Sequence, residues 1–440
     1  MDINYDLVVK NGRVFIGDDQ ISTDIWIKDG RIAALGGDHR AEEKIDARDM
    51  LVLPGAIDVH VHFRDPGPNY KEDWASGSAS AAAGGVTSVI DQPNTQPRTL
   101  DASSFEQKLD IARHRSFVDF GLNGGAGKID ELAFSGATAI GEIFSYEHSD
   151  SDLAGILDEV KQAGMLASLH AEDGAIIREK TARLVGRHDA QAYSESRPAQ
   201  AEAAAIEKAL NWSDRLHVCH LSSSQGLEMV AKAKRGGRKV TSEVAPHHLL
   251  LNIKDYKKQG SYLKMNPPLR SEKDNDTLWQ GLCSGTIDII ASDHAPHLPE
   301  EKREDIWEAP PGVPGVETML PLMLFAVKRN MIKLNRLVSA VSSRPAEIFG
   351  LVGKGKIERG YDADLVIIDS KQVTKINADR LHSRAEWTPF EGREAIFPKM
   401  TIVRGKVVYD GDLSVHAGYG HFLGKDAAKA KGFMRTKTLF

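Results

Sequence analysis

The sequence predicts an α/β protein, a (β/α)8 TIM barrel with a small β-sandwich domain formed from both chain ends. Between residues 55 and 354, short β-like runs alternate with helical stretches, which is typical of a parallel sheet. Short strands separated by turn signals precede and follow this region. With 440 residues, of which 41% are hydrophobic, the chain is long enough for one domain of barrel size and a smaller one.

The first 54 residues read as an antiparallel β unit. The runs Leu7–Lys10, Val14–Ile16 and Ile25–Ile27 are each followed by turn residues such as Asn-Gly or Asp-Gly. About fifty residues of short strands bury little alone, so the rest of this unit must lie elsewhere in the chain. Residues 363–369 and 401–409 supply it. We therefore predict a composite domain from residues 1–54 and 355–440, and a barrel from residues 55–354.

Within the barrel region the pattern provides eight candidate strands. They are 56–62, 87–92, 118–123, 138–144, 165–170, 216–220, 239–245 and 287–292. Helix candidates between them are 71–83, 103–114, 152–162, 200–211, 225–234 and 273–283. An open doubly wound sheet is the alternative, but no Gly-x-Gly-x-x-Gly follows the first strand, which argues against a dinucleotide-binding version of it.

The segment from Asp58 to Gly67 contains the strongest local signal. Because side chains alternate along a strand, His60 and His62 share one face, about 6.6 Å apart. Neutral histidine is a common ligand of divalent transition metals. Arg64 follows at the turn made by Pro66 and Gly67, which places a planar cation beside this pair. Alone, the pair could equally be packed or solvated histidines.

Polar residues also end the other candidate strands. The groups at these ends are His60 and His62, Asn94, Glu142, His170, His220 and Asp293. In a (β/α)8 barrel, the carboxyl ends of the strands form the active site. Four histidines with two carboxylates suit two metal ions that share a carboxylate and a water of lowered pKa. This set predicts hydrolysis of an amide or ester, with Asp293 as the general acid/base.

Composition excludes several other classes of function. The net charge of −6 and the pI near 6.3 leave no basic surface for nucleic acid. No apolar segment is long enough to span a membrane, and the N-terminus lacks the features of a signal peptide. The only cysteines, Cys219 and Cys283, are too few for a disulfide framework. We expect a soluble cytoplasmic protein that acts on a small molecule.

Motifs along the whole barrel resemble those of the class I dihydroorotases, a branch of the cyclic amidohydrolases. They are Asp58–Gly67, Lys71-Glu-Asp, Gly84-Gly-Val-Thr87, Pro93–Pro97, His170-Ala-Glu-Asp173, His220-Leu-Ser-Ser223, Glu243–Leu249, Asn266–Arg270, Asp293–His297 and Gly315–Thr318. Segments Gly360–Leu365 and Thr388–Gly392 are similar to the C-terminal region of the amidohydrolases.

The resemblance implies roles for individual residues. His60, His62 and Asp293 would hold one zinc ion, and His170 and His220 a second. Substrate contacts would come from Arg64, Asn94, Asn266 and His297, and from the backbone at Pro311 and Gly312. The implied reaction is the reversible cyclisation of N-carbamoyl-L-aspartate to L-dihydroorotate in pyrimidine biosynthesis. A homo-oligomer, and association with an aspartate carbamoyltransferase, are the partners it suggests.

Position 142 departs from the resemblance. Relatives bridge their metals with a carboxylated lysine or with an aspartate on the fourth strand, whereas this chain has Glu142. Its carboxylate has the chemistry of a bridge, but it could also bind one metal or leave a mononuclear site. Glu147 and Asp150 are the next candidates for a bridge.

Other readings stay open at this stage. An allantoinase or hydantoinase is the nearest enzyme alternative, but its substrate has no carboxylate for Arg64. A non-catalytic relative that only assembles with a partner would have lost its ligands, whereas this chain keeps them. We expect His247 and His248 to support the site or pack, and His294 and Cys219 to be structural. Residues 424–432 read as a charged, solvated tail.

Overall fold

The computed structural model describes residues 4–213 and 215–424. The charged tail predicted at residues 424–432 lies outside this part of the chain, except for Gly424. Short strands come first: β1 Asn4–Lys10, β2 Arg13–Ile16, β3 Asp19–Ser22, β4 Ile25–Lys28, β5 Arg31–Leu35, β6 Arg40–Asp46 and β7 Leu51–Pro54.

The barrel strands follow, and all pair in parallel. They are β8 Ala56–Val61, β9 Val86–Asp91, β10 Asp119–Leu122, β11 Ile140–Phe144, β12 Ala167–His170, β13 Arg215–Val218, β14 Lys239–Val244 and β15 Ile289–Ile290. Ladders join β8 through β10 and β11 through β15. Parallel bridges between Val61 and His294 and between Gly124 and Ile140 join these two groups. The ring is therefore closed, and the predicted barrel is confirmed over the open sheet.

Helices surround the barrel and connect its strands. They are α1 Trp74–Ala83, α2 Ala102–Arg115, α3 Ile129–Ser135, α4 Asp150–Gln162, α5 Gly174–Leu184, α6 Ala190–Ser196, α7 Ala199–Trp212, α8 Ser224–Arg235, α9 Pro246–Leu250, α10 Tyr256–Gln259, α11 Glu272–Ser284, α12 Pro299–Lys302, α13 Val316–Lys328, α14 Leu334–Val338 and α15 Arg344–Phe349.

Side chains before the helices fix several starts. Asp73 and Asp101 accept hydrogen bonds from the backbone of Ser76 and Ser104, and both serines bond back to the cap. Such reciprocal capping satisfies donors that the first helical turn leaves free. With the helices outside, β8 and β9 are buried along their whole length. No helix within the described residues is long and apolar enough to cross a membrane.

Both chain ends contribute to the second unit. Its later strands are β16 Leu365–Ile368, β17 Thr374–Lys375, β18 Glu394–Ala395, β19 Met400–Val403 and β20 Lys406–Tyr409. One sheet has the order β20-β19-β16-β7-β2-β3 and another β5-β4-β1-β6. The pairing of β16 with β7 joins the two chain ends. The prediction of a purely antiparallel unit was wrong, because β1 pairs with β6 and β2 with β7 in parallel. The boundaries at residues 54 and 355 stay a prediction.

A buried ion cluster ties this unit to the barrel. Nζ of Lys354 lies 2.5 Å from Asp119 of β10 and 2.7 Å from Asp364, which directly precedes β16. Arg404 also contacts Asp119. Buried charges are stable only when they are paired and hydrogen-bonded, so these residues depend on one another.

Candidate metal centre and substrate pocket

The histidines and carboxylates predicted from the sequence meet at the carboxyl end of the barrel. His60 lies in β8, Glu142 lies in β11 and His170 ends β12. Three further residues follow strand ends directly or within a short turn: His62, His220 and Asp293. All six side chains are buried.

Glu142 lies between two pairs of histidines. Its Oε1 is 2.8 Å from Nδ1 of His170 and 2.8 Å from Nε2 of His220. Its Oε2 is 3.6 Å from Nε2 of His60 and 3.8 Å from Nε2 of His62. Burial alone would raise the pKa of Glu142, but hydrogen bonds with His170 and His220 hold it well below its ordinary value. Contact with both pairs is the position that a bridging carboxylate needs.

Asp293 completes a second cluster with His60 and His62. Its Oδ1 lies 3.3 Å from Nε2 of His62 and 3.6 Å from Nε2 of His60. Ligand atoms at about 2.1 Å from a tetrahedral metal ion are about 3.4 Å apart. The Nε2 of His60 is also buried with no hydrogen-bond partner among the described residues. The spacing and this orphaned nitrogen both fit a divalent cation between the three side chains.

The cluster around His170 and His220 is tighter. The 2.8 Å distances from Glu142 are those of hydrogen bonds, and a metal ion there would require them to lengthen by about 0.6 Å. Burial would lower the pKa of His170, but hydrogen bonds with Glu142 and Glu172 raise it to about 9.

Each of three ligand histidines presents one ring nitrogen to the centre and has the other held by an oxygen atom. Nδ1 of His60 lies 2.5 Å from Glu243 and Nε2 of His170 lies 2.7 Å from Glu172. Nδ1 of His62 lies 2.8 Å from Oδ1 of Asn94. Such partners fix the orientation and tautomer of metal-binding histidines.

Sequence reasoning gave Glu172 and Glu243 no role, although both fall inside quoted motifs. A signal for Glu172 was present, because it follows His170 by two residues. Glu243 could not be recognised in this way, because the barrel brings it to His60 from 183 positions along the chain. The side chain of Glu243 reaches His60 only when β14 takes its place in the closed barrel.

The two clusters of histidines and carboxylates open onto a pocket of about 550 Å³. It is lined by His62, Arg64, Asn94, Thr95, Gln96, Arg98, Glu142, Phe144, Tyr146, Glu147, His170, Asn266, Asp293, Ala295, His297, Pro311 and Gly312. Every residue predicted to contact substrate is therefore in the lining. His60 and His220 do not line the pocket but touch Glu142 beneath it.

In this pocket, the hydrogen bonds of His297 leave it unable to accept one from the guanidinium of Arg64. Nδ1 of His297 lies 3.2 Å from Nζ of Lys71, which can only donate, so Nδ1 accepts. Nε2 therefore carries the hydrogen and donates to the carbonyl oxygen of Pro311, 3.0 Å away. Arg64, whose Nη2 is 3.2 Å from the same Nε2, cannot donate to it. The Nε of Arg64 is also buried without a partner among the described residues.

Both the sequence and the fold are similar to those of known proteins. Residues 51–408 match the amidohydrolase family. The chain belongs to this family. It is 46% identical to a dihydroorotase from Methanosarcina mazei, over 95% of this chain and 97% of the relative. It is 36% identical to an allantoinase from Rubrobacter xylanophilus, over 95% and 97% of the two chains. The solved structure of an L-hydantoinase from Arthrobacter aurescens is similar, with a TM-score of 0.92 and 35% identity over 96% of this chain and 100% of that one.

The other candidates for a bridge in this amidohydrolase face elsewhere. Glu147 lines the pocket but pairs with Arg98, 3.0 Å away. Asp150 begins α4 and pairs with Lys208, 3.0 Å away. Glu142 is therefore the one of the three that contacts the histidines.

Further histidines of the amidohydrolase surround the centre. Nε2 of His247 is buried, has no hydrogen-bond partner among the described residues and lies 4.0 Å from Oδ2 of Asp293. His248 donates to the carbonyl of Pro267. His294 donates from Nε2 to Glu72, 3.1 Å away, while its Nδ1 accepts from the backbone N–H of Gly315. The structural reading of His294 agrees with these contacts.

Cys219 is buried, as expected for a small core residue. Its Sγ lies 3.0 Å from Oγ of Ser168. The same sulfur lies close to ligand-type atoms of His60 and Glu243, beneath the candidate metal centre. Because Glu243 already accepts a hydrogen bond from Nδ1 of His60, we interpret Cys219 as a packing residue beneath the site that does not line the pocket.

Proposed function

We propose that the protein is a metal-dependent dihydroorotase, which interconverts N-carbamoyl-L-aspartate and L-dihydroorotate. The observation that carries the proposal is the guanidinium of Arg64, whose Nε has no partner among the described residues, in a pocket onto which the clusters of histidines and carboxylates open. A cyclic amide that carries a carboxylate fits both features. The names of relatives such as the Methanosarcina mazei dihydroorotase support the same substrate.

The residues that would hold the metal are those of the two clusters. His60, His62 and Asp293 would bind one zinc ion, and His170 and His220 a second, with Glu142 between them. When bound, zinc would supply Lewis-acid polarisation of the scissile amide and a water of lowered pKa. The donor set of imidazoles and carboxylates is one that zinc accepts.

Asp293 would move the proton. Its Oδ1 faces His60 and His62, which leaves Oδ2 on the side of His247 and the pocket. Burial would raise the pKa of Asp293, but His62 and His60 hold it below its ordinary value, so the carboxylate is ionised. It would take a proton from the attacking water and deliver it to the ring nitrogen as the amide bond breaks.

Arg64 would orient the substrate by its carboxylate. A guanidinium binds a carboxylate through two parallel hydrogen bonds, which fixes both position and direction. Asn94, Asn266 and His297, with the backbone at Pro311 and Gly312, line the same pocket and would complete the contacts. Hydroxyl donation from Tyr193 to Oδ1 of Asn266, at 2.6 Å, leaves the amide N–H groups of Asn266 to face a ligand.

The alternative function is another cyclic amide hydrolase. The L-hydantoinase structure and the allantoinase relative favour it, since both are similar along nearly the whole chain. Allantoin and unsubstituted hydantoin carry no carboxylate, so they would leave Arg64 buried without a partner, which costs free energy. A non-catalytic role is disfavoured, because all the proposed ligands and Asp293 are retained and face one another.

The test is a turnover assay of the purified, metal-loaded protein with L-dihydroorotate, allantoin and hydantoin at equal concentrations. We expect hydrolysis of dihydroorotate, and its formation from N-carbamoyl-L-aspartate at lower pH, with little or no turnover of the other two rings. Preferential turnover of allantoin or hydantoin would reject the proposal in favour of the alternative. Metal binding without turnover of any of the rings would favour the non-catalytic role.

Assembly and location remain proposals as well. We expect a homo-oligomer in the cytoplasm, and association with an aspartate carbamoyltransferase where one is available, because that enzyme makes N-carbamoyl-L-aspartate. Light scattering of the purified protein, alone and mixed with the transferase, would test both forms of assembly.

A further inference from the structure

Lys302 is a buried cation whose hydrogen bonds all go to the main chain. It ends α12, its side chain is 0% exposed, and its Nζ donates to three carbonyl oxygens. These belong to Lys264 at 2.9 Å, Pro310 at 2.9 Å and Gly312 at 3.0 Å. Burial, with Lys264 and Arg64 nearby, holds the pKa of Lys302 well below its ordinary value, but three carbonyl acceptors favour the ammonium form, which has one N–H donor for each of them.

Two of these carbonyls belong to the turn that lines the pocket. The turn at residues 310–312 is also held by its own backbone, because the N–H of Gly312 donates to the carbonyl of Lys264 at 2.9 Å. Gly312 has a φ of 136°, and a Cβ there would lie 2.4 Å from the carbonyl oxygen of Ala295. Lys302 thus holds a turn that passes too close to its neighbours for any side chain at position 312.

The same turn determines which ring nitrogen of His297 carries the hydrogen. The carbonyl oxygen of Pro311, between the two carbonyls held by Lys302, accepts from Nε2 of His297. That hydrogen bond keeps Nε2 from accepting, and Arg64 therefore stays free. Trp387 supports the arrangement from the other side, since its Nε1 donates to the carbonyl of His297 at 2.8 Å and its ring lies under Nζ of Lys302.

We propose that Lys302 is a positioning residue for substrate selection: it fixes the 310–312 turn, and through Pro311 and His297 it keeps the guanidinium of Arg64 available for a carboxylate on the substrate ring. The inference rests on the proposed function, because it concerns how that substrate is distinguished. Lys302 lies outside the metal clusters and has no contact with Glu142 or Asp293. Its effect therefore falls on binding of the anionic end and not on the metal-assisted step.

The first test is Lys302→Met, which keeps the length of the side chain and removes all three donors. We expect KM for L-dihydroorotate to rise about 10- to 100-fold, the loss typical of a displaced positioning contact, while kcat changes by less than about threefold. Zinc content should equal that of the wild type. Dihydrouracil, the same ring without the carboxylate, should keep its inhibition constant as a competitor of dihydroorotate, so that the loss is confined to binding of the anionic end.

Lys257→Met is the matched control, because Lys257 is an exposed lysine of α10. It should leave KM, kcat and zinc content unchanged. A purely structural role for Lys302 would instead lower zinc content and weaken dihydroorotate turnover and dihydrouracil inhibition by the same factor, and that result would overturn the proposal. Wild-type turnover of dihydroorotate is measured first, so failure of the proposed function is recognised separately from failure of this inference.

A second variant covers the case in which Lys302→Met does not fold. Gly312→Ala disturbs the same turn without removing a buried charge, because the added Cβ meets the carbonyl of Ala295. We expect it to raise KM for dihydroorotate, with normal zinc content and an unchanged inhibition constant for dihydrouracil. An unchanged KM for dihydroorotate in Gly312→Ala would mean that the substrate does not sense the turn, and the proposal would be rejected.

Discussion

Arg64 and His297 contact each other with a donor facing a donor. Nη2 of the arginine is 3.2 Å from Nε2 of the histidine, whose hydrogen already goes to Pro311. The contact cannot be a hydrogen bond in that tautomer, so it leaves the guanidinium with unused donors inside the pocket. An anionic ligand group would satisfy them, and two predictions about charge in this pocket can be made at once.

The first prediction concerns Arg64→Lys. Lysine keeps the positive charge but loses the planar fork that binds a carboxylate through two hydrogen bonds. Loss of a charge-assisted hydrogen bond is worth about 1.5–3 kcal/mol, so kcat/KM for dihydroorotate should fall about 10- to 100-fold. Zinc content should not change. Steady-state kinetics with parallel metal analysis would check both.

Arg98→Lys provides the comparison in the same pocket. Arg98 is exposed and already paired with Glu147, so its replacement should change kcat/KM by no more than about fivefold. Equal activity of Arg64→Lys and wild type would remove carboxylate recognition from the proposed function, and with it the main reason to prefer dihydroorotate over hydantoin.

A second prediction is that Asp293→Asn abolishes most of the turnover while the protein stays folded. The amide cannot accept a proton, and general acid–base catalysis contributes about 10²- to 10⁴-fold, so kcat should fall by that range. Zinc content is measured alongside to separate a lost proton acceptor from a lost ligand. The exposed Asp276 of α11 serves as control, and Asp276→Asn should be as active as wild type. An active Asp293→Asn enzyme would assign the proton transfer to another group.

The third prediction concerns stability and not catalysis. Lys354→Met leaves Asp364 buried without its cation and weakens the contact between the barrel and the second unit. Removing one partner of a buried ion pair costs about 3–5 kcal/mol, which urea and thermal unfolding would detect. Lys356→Met is the control, because Lys356 is exposed and its replacement should cost no more than about 0.5 kcal/mol. Equal unfolding midpoints for the two variants would show that the cluster adds no stability.

The buried cluster around Lys354 also predicts how the stability of the protein changes with pH. Burial would lower the pKa of Lys354, but Asp364 and Asp362 raise it above its ordinary 10.5. A group whose pKa is raised on folding contributes stability that is present below its unfolded pKa and is lost as the pH rises through the folded pKa. The stability difference between wild type and Lys354→Met should therefore be constant between about pH 7 and 9 and shrink only above about pH 10.5.

The barrel could be predicted because its strands and helices repeat a local pattern. The eight predicted strands match the observed ones to within a few residues, and alternation along the first of them predicted that His60 and His62 share one face. The parallel pairing of β1 with β6 could not be predicted, since short strands with turn signals look the same in parallel and antiparallel ladders. Strand direction there depends on contacts between distant segments.

The parts of the site that depend on contacts between distant segments could not be predicted from the sequence. The residue types at strand ends identified the histidines, Glu142 and Asp293. The hydrogen bonds that His60 donates to Glu243 and that Lys302 donates to the 310–312 turn arise only after the barrel has closed. A lysine in a run of charged residues such as Glu300-Glu301-Lys302-Arg303 looks exposed in sequence, whereas the structure buries it completely.

The last prediction concerns Glu142, whose carboxylate lies between the two histidine pairs. A glutamate carries its charge without modification by carbon dioxide, so a site bridged by Glu142 should assemble and remain active in bicarbonate-free buffer. A bridge made by a carboxylated lysine would not. Metal stoichiometry and activity of the wild type, measured with and without bicarbonate, should be equal.

Glu142→Gln keeps the shape of the side chain but removes the negative charge that lies between the histidine pairs. Repulsion between two cations would then be less well screened, so at least one metal should be lost and turnover should fall at least about tenfold. Glu147→Gln is the control, because Glu147 lines the same pocket but pairs with Arg98, and it should retain its metal. Two metals and full activity in Glu142→Gln would place the bridge elsewhere. One metal in an active wild type would mean a mononuclear enzyme, in which the tight cluster of Glu142, His170 and His220 stays hydrogen-bonded at 2.8 Å and only the wider cluster of His60, His62 and Asp293 binds zinc.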